Sequence, residues 1–328
     1  MDYRIVQKVL SQKRDIVITA HKSPDGDALG SSLALYHIFK DTHNVKVIVP
    51  NDYPDYLKWL PGNENVLIYE GNEAICDSYI QDSDLLFCLD FNKLYRTHTM
   101  VDILTDFSGF KIMIDHHEEP DDFCDQVLSN TFISSTAELI FSFLRNLDYK
   151  LTKDVAVCLY TGILTDTGSF KYPNVTIETH KIVAELMSFD IEHHIIHKKI
   201  YDSQSISRLE LLKICLGNLV FFNDLHSAVT FLMEKDLTSC NYKKGDTEGF
   251  VNLPLAINGI HFSTFFIQFK DGIKVSFRSQ GSFDVNLFSK LYFNGGGHKN
   301  AAGGFIDDRN MKETIIYFKK VLKTYLAS

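Results

Sequence analysis

Three short apolar runs in this chain each lead into a carboxylate or a histidine. Residues 15–20 (DIVITA) run into His21, residues 85–90 (LLFCLD) stop on Asp90, and residues 110–115 (FKIMID) open onto Asp115-His116-His117. Apolar runs of this length read as buried strands. A further strand is expected at 45–50, and helical patterns lie between the strands at 28–40, about 72–81 and about 93–106. Strands alternating with helices imply an α/β fold with a mainly parallel sheet covered by helices on both faces. In such a sheet, ligands bind outside the carboxyl ends of the strands. Polar groups far apart in sequence should therefore converge on one edge.

From 135 the pattern turns helical. Ser135-Thr136-Ala137-Glu138 has the form of a capped helix start before 139–147, and further helices are expected at 152–164 and 176–187. Strands return at 219–222, 227–232, 264–269 and 273–278, and an amphipathic helix closes the chain at 311–326. A length of 328 residues accommodates two domains. The expected division is a catalytic domain over 1–190, a linker over 191–206 around the polar Asp202-Ser203-Gln204-Ser205, and a smaller α/β domain over 207–328.

Composition narrows the function classes. With 45% apolar and 23% charged residues the chain is neither disordered nor fibrous. No apolar stretch approaches the ~20 residues needed to span a bilayer, and the N-terminus does not read as a signal peptide. The six cysteines lie far apart with no Cys-x-x-Cys spacing, which reads as reduced thiols in a cytoplasmic protein. Residues 1–190 hold 16 Lys and Arg against 29 Asp and Glu, a net −13, while residues 191–328 carry +4. An acidic half can bind cations and a more basic half an anion. The overall −9 argues against tight binding to duplex DNA.

His and Asp are the ligands expected for manganese, iron or zinc, and carboxylate-rich sites tilt toward manganese. His21, Asp25 and Asp27 share one loop, where Pro24 and Gly26 suit a tight turn that aims two carboxylates at different ions. Asp90 would suit a place between two ions. Asp27 could instead cap a helix starting at Ala28, and Asp115-His116-His117 could be a polar turn. These plainer readings weaken together, because each must explain a polar cluster at the same sheet edge. Asp166, in GILTDTG at 162–168, follows an apolar helix, where an acid needs a partner. In the second half, the glycines of Gly295-Gly296-Gly297-His298 expose N–H groups that can cradle a phosphate. Arg278 ends a strand, and its guanidinium suits a phosphate. A flexible loop and a surface arginine are the alternative. His193, His194 and His197 read as a partly exposed helix surface.

Together these residues resemble the DHH phosphoesterase superfamily over about 15–305. The N-terminal motif is matched by His21-Lys22-Ser23-Pro24-Asp25-Gly26-Asp27-Ala28-Leu29-Gly30-Ser31, the naming motif by Asp115-His116-His117, and a fourth motif by Thr165-Asp166-Thr167-Gly168-Ser169-Phe170. The C-terminal half resembles the DHH-associated domain of subfamily one, through Val275-Ser276-Phe277-Arg278-Ser279 and Gly295-Gly296-Gly297-His298-Lys299-Asn300-Ala301-Ala302-Gly303. Within the superfamily the chain is most similar to the short nanoRNases that also act as phosphoadenosine-phosphate phosphatases.

The resemblance implies a cytoplasmic, manganese-dependent phosphoesterase with two divalent ions. Its substrates would be short single-stranded RNA, dinucleotides such as pApA, and 3′-phosphoadenosine 5′-phosphate. By matching position, His21, Asp25 and Asp90 would hold one ion, and Asp27, Asp90, His116 and Asp166 the other. His117 would act at the scissile phosphate. Arg278, Ser279, Gly295, Gly296, Gly297 and His298 would hold the far end of the substrate, with the active site in the cleft between the domains. One departure is Phe91-Asn92 after Asp90, where the family often has a small residue. Arg96 reads equally as a phosphate contact or a surface residue. Competing readings are a family II-like inorganic pyrophosphatase and a catalytically idle nucleotide sensor.

Overall fold

Alternate residues of the strands point to opposite faces of one sheet, and both faces are buried. In a computed structural model describing residues 1–327, the chain divides into two units, Met1–Ser203 and a second that begins at Gln204. In chain order the first unit runs α1 (Tyr3–Leu10), β1 (Asp15–Ala20), α2 (Gly26–Phe39), β2 (Asn44–Val49), β3 (Val66–Ile68), α3 (Glu73–Gln81), β4 (Leu85–Leu89), α4 (Val101–Thr105), β5 (Phe110–Asp115), β6 (Gln126–Ser129), α5 (Thr136–Asn146), α6 (Lys153–Asp166), α7 (Ile177–Met187) and α8 (His193–Tyr201). The six strands form a sheet of order β3-β2-β1-β4-β5-β6, every neighbouring pair parallel.

Ile16, Ile18, Leu85, Phe87, Leu89, Ile112 and Ile114 face one core, shared with α1, α2, α5 and α6. Val17, Leu86, Cys88 and Met113 face the other, under Cys76 and Ile80 of α3 and Leu104 of α4. This is the two-residue period of strands covered on both sides. The order reverses between β1 and β4, the switch point at which such sheets open a crevice.

Several local readings change. The helix expected near 93–106 is a 3₁₀ turn over Leu94–Met100 followed by the short α4, because His98 adopts φ 53° and a left-handed residue cannot continue a right-handed helix. The stretch read as a linker is mostly α8, whose Ile196 and Ile200 are buried in the first unit's core. Edge strands β3 and β6 went unread because they are short and only half-buried, leaving little apolar signal.

The second unit runs α9 (Ile206–Gly217), β7 (Val220–Phe222), β8 (Ser227–Leu232), α10 (Glu234–Ser239), β9 (Phe262–Phe269), β10 (Gly272–Ser279), α11 (Val285–Tyr292), β11 (Gly296–His298), β12 (Ala301–Ile306) and α12 (Met311–Ala327). Its sheet has the order β11-β12-β10-β9-β8-β7, with β8 and β9 parallel and the other pairs antiparallel. One face is an aromatic core of Phe262, Phe266, Phe277, Phe288, Phe293 and Phe318. The other packs Phe265 and Ile267 against Leu211 and Cys215 of α9.

Gly296–His298, expected as a loop, is a strand of a tight hairpin with β12. Its glycines let backbones meet: Gly297 has φ 155°, and a Cβ there would lie 2.4 Å from the Ala301 carbonyl oxygen. Among the described residues no helix is long and apolar enough to cross a membrane.

Candidate metal centre

The carboxyl ends of β1, β4 and β5 bring their polar residues together at the switch point. Asp90 follows β4 directly. Its backbone is held in the left-handed region, φ 61°, with its N–H donating to the Ile114 carbonyl of β5. A non-glycine residue there is strained, which is common where a side chain must be aimed. The Asp90 side chain is 3% exposed. Its Oδ2 lies 3.3 Å from His21 Nε2, and its Oδ1 lies 3.6 Å from His116 Nε2 and accepts from the Thr136 hydroxyl at 3.0 Å.

Three groups of potential ligand atoms share this carboxylate; one is Asp90 with Asp115 and His117, the pair that orients the histidine turn, and the other two extend to further acids. His21, Asp25 and Asp90 form the first of these two; Asp27, Asp90 and His116 form the second, and in each the atoms lie within 4.8 Å of one another. Asp166 Oδ2 extends the second group, 3.4 Å from His116 Nε2. Asp166 is the last residue of α6 rather than a residue beyond it.

The histidines are pre-oriented. His21 Nδ1–H donates to the Lys22 carbonyl at 2.8 Å, and His116 Nδ1–H to the Ile133 carbonyl at 3.4 Å. A carbonyl only accepts, so Nδ1 carries a proton in both rings and Nε2 is the nitrogen turned toward the carboxylates, where a metal could replace a proton. His117 Nδ1–H donates to Asp115 Oδ1 at 2.7 Å, and its backbone N–H donates to Asp115 Oδ2 at 2.8 Å. Asp115 is wholly buried and fixes the ring with Nδ1 protonated and Nε2 turned away from it.

Helix ends position the acids. Asp25, not Asp27, caps α2: its Oδ1 accepts from the amides of Asp27 and Ala28, while its Oδ2 lies 3.9 Å from His21 Nε2. Asp27, in the first turn of α2, accepts from the amides of Thr136 at 2.6 Å and Ala137 at 2.9 Å. These are unpaired N–H groups at the start of α5, where an anion is favoured. The approach of α2 to α6 depends on glycines. A Cβ at Gly162 would lie 2.7 Å from Ala137 Cβ and 2.8 Å from Asp27 Oδ1, and one at Gly30 would lie 2.5 Å from the Cys158 carbonyl oxygen.

The two residues after Asp90 have defined work. Phe91 is buried and stacks with Phe123, centroids 6.3 Å apart. Asn92 Nδ2 donates to the carbonyls of His117 and Glu118, clamping the histidine turn. His197 is also more than helix surface: its Nε2 meets the Ser169 hydroxyl at 3.1 Å, in a turn where Gly168, Ser169 and Phe170 all have positive φ, just after Asp166. Sequence alone could have flagged Asn92 and His197 only as polar residues near motifs.

The electrostatics are those of a site with too much negative charge for protons alone. Burial pushes the Asp27 carboxyl well above the ordinary range, and the neighbouring Asp90 and Asp166 charges add to it. Burial opposes the imidazolium of His21, yet Asp90 and Asp25 outweigh it and raise its pKa to about 9. Burial likewise opposes ionisation of Asp90, but His21, His117 and His116 hold it below the usual carboxylate range. Burial lowers the His117 pKa despite Asp115, and the Arg96 charge adds to that lowering. A divalent cation would replace the protons on Asp27 and His21. The donor set, three carboxylates and two imidazoles around the shared Asp90, fits such ions.

In the second unit, β10 and β11 flank β12, and Arg278 and His298 both stand opposite Ala301. Cross-strand partners share a face, so the small alanine lies between an arginine and a histidine. The Ser279 hydroxyl donates to the Phe283 carbonyl and accepts from Asn300 Nδ2, both at 2.8 Å. The Gly297 amide donates to Asn286 Oδ1. These two groups therefore already serve the unit's own structure.

A parallel α/β unit with an acid–histidine cluster at its switch point, followed by a mixed-sheet unit, defines a two-part architecture. Residues 15–163 match the DHH family, N-terminal domain, and residues 228–327 match the DHHA1 domain; the chain belongs to the DHH family. The crystal structure of an exopolyphosphatase-related protein from Bacteroides fragilis is 42% identical, with a TM-score of 0.94 over 98% of this chain and 96% of that one. The probable bifunctional oligoribonuclease and PAP phosphatase NrnA of Streptococcus mutans is 30% identical over 88% of both chains. The bifunctional oligoribonuclease and PAP phosphatase NrnA of Thermus thermophilus is 29% identical over 98% of this chain and 92% of its own.

Proposed function

We propose that this chain is a phosphoric ester hydrolase that cleaves very short oligoribonucleotides to mononucleotides and removes the 3′-phosphate of 3′-phosphoadenosine 5′-phosphate. The observation that carries the reading is the pair of ligand groups joined through Asp90. Relatives named for oligoribonuclease and PAP phosphatase activity along nearly the whole chain support the substrate class.

One ion would be held by His21, Asp25 and Asp90, the other by Asp27, Asp90, His116 and Asp166, with manganese as the metal. When bound, two such ions lower the pKa of water and polarise a phosphoryl oxygen. The chain's own residues do the rest. His117, neutral because burial lowers its pKa, would take at Nε2 the proton released by the attacking water and return it to the leaving oxygen, and Asp115 offsets the charge the ring carries between the two transfers. Arg96, whose charge bears on both His21 and His117, offsets negative charge on the phosphoryl group. Arg278 and His298, with the 295–297 backbone and Ser279 shaping their unit, grip the substrate's distal phosphate. Six free cysteines and the lack of a long apolar helix among the described residues fit a cytoplasmic enzyme.

The test compares product release from pApA, 3′-phosphoadenosine 5′-phosphate, cyclic di-AMP and pyrophosphate at equal concentration with manganese. Fast cleavage of the first two is expected. Turnover of pyrophosphate alone would overturn the reading in favour of a pyrophosphatase, and metal binding without any turnover would make the chain a sensor.

A further inference from the structure

Two aromatic side chains stand in solvent on loops whose backbones are tied to the second ligand group or follow it in the chain. Phe132 is 86% exposed and Tyr172 is 41% exposed. Phe132 lies between β6 and α5, and its position is tied to the centre by backbone bonds. The next residue, Ile133, gives its carbonyl to the His116 ring. The Phe132 amide donates to Asn130 Oδ1, and the Asn130 amide donates to the Asp115 carbonyl. Tyr172 lies six residues after Asp166, and its amide donates to the Thr167 carbonyl. Its ring lies over Gly168, where a Cβ would come within 2.6 Å. The two loops are joined, since Asn174 Nδ2 donates to the Ser134 carbonyl at 3.5 Å.

A phenylalanine left in solvent, and tied through its neighbours to the His116 ring and the Asp115 carbonyl, has an open face to offer a ligand bound at that cluster. Every nucleobase has a π-face, and stacking on an exposed aromatic tolerates any base. We infer that Phe132, with Tyr172 on the loop joined to its own, is the platform on which the base next to the scissile phosphate stacks. This subsite is specific for nucleobases and indifferent to base identity. It rests on the nucleotide reading above and extends it from the phosphate to the base. Without it, a site built only of ions and phosphate grips would treat any small phosphodiester alike.

The test uses the full-length chain with manganese and two substrates, pApA and an abasic analogue with the same sugar–phosphate backbone. Phe132→Ala is expected to raise KM for pApA about tenfold with little change in kcat, the loss that follows removal of one base–aromatic stack. KM for the abasic analogue should stay unchanged, and Phe132→Trp should restore binding of pApA. The sequence has a single tryptophan, so Phe132→Trp also adds a reporter. Its fluorescence, measured against the Trp59 background, should be quenched by pApA in chelator, where nothing is hydrolysed. Equal losses on both substrates, an unchanged KM for pApA, or a change in oligomeric state in place of the KM effect would overturn the inference. Failure of the wild type to cleave any nucleotide would instead overturn the proposed function, while the quenching experiment would still decide the role of Phe132.

Discussion

Asp115 and Asp166 lie in the same cluster yet make different demands on it. Asp115 is buried and touches His117 twice, so its effect passes through the imidazole. Asp115→Asn keeps the shape but removes the charge that favours a protonated ring. It should lower kcat by about 10²-fold with KM nearly constant, and it should shift the acidic limb of the pH–rate profile; an unaltered profile would make Asp115 a purely structural residue. Asp166 is 29% exposed at a helix end and supports little packing. Asp166→Ala should abolish hydrolysis while circular dichroism and melting temperature stay near wild type. Activity close to normal would remove Asp166 from the metal set. Arg278→Ala, in the other unit, should chiefly raise KM. At this scale the sequence was informative where chemistry needs a particular group. All six expected ligands, His21, Asp25, Asp27, Asp90, His116 and Asp166, meet at one edge. It was silent on Thr136 and Ala137, which hold Asp27 through backbone amides that no side-chain pattern encodes.

At the scale of elements, the site depends on how closely α2, α5 and α6 approach. Gly162→Ala would force its Cβ against Ala137 and Asp27. Overpacking of this kind typically costs about 1–3 kcal/mol, readable as a lower denaturation midpoint. The same variant should bind manganese more weakly in calorimetry. A loss of stability with metal affinity intact would mean that Asp27 is not a ligand. The strands were legible because a parallel sheet buried on both faces writes continuous apolar runs, and β1 and β5 match the expected spans. Edge strands and the β11–β12 hairpin were not, since half-exposed or glycine-rich segments lack that signature. The helix expected at 93–106 failed for a conformational reason, the left-handed turn at His98.

For the molecule as a whole, charge balance ties stability to pH and metal. His21 holds its proton to about pH 9 in the folded, metal-free chain, against 6.5 when unperturbed. Its contribution to stability is therefore complete below about 6.5 and lost as pH rises through 9. In chelator, the melting temperature should fall across that window. With manganese the trend should reverse, because the ion displaces these protons and binds more tightly as they leave. A chelated protein whose melting temperature holds level from pH 6.5 to 9 would contradict the His21 assignment. The two-part organisation was readable from the change of pattern along the chain. The division between Ser203 and Gln204 falls within the stretch 191–206, but most of that stretch is α8, polar enough to pass for a linker while its Ile196 and Ile200 pack inward. The amides of α5 that hold Asp27 have a kinetic consequence. Backbone donors, rather than an ion, keep this carboxylate in place, so the socket stands ready before loading. If ions occupy this site as proposed, exchange of one for another would then proceed in the native protein at the pace of ligand substitution, without refolding.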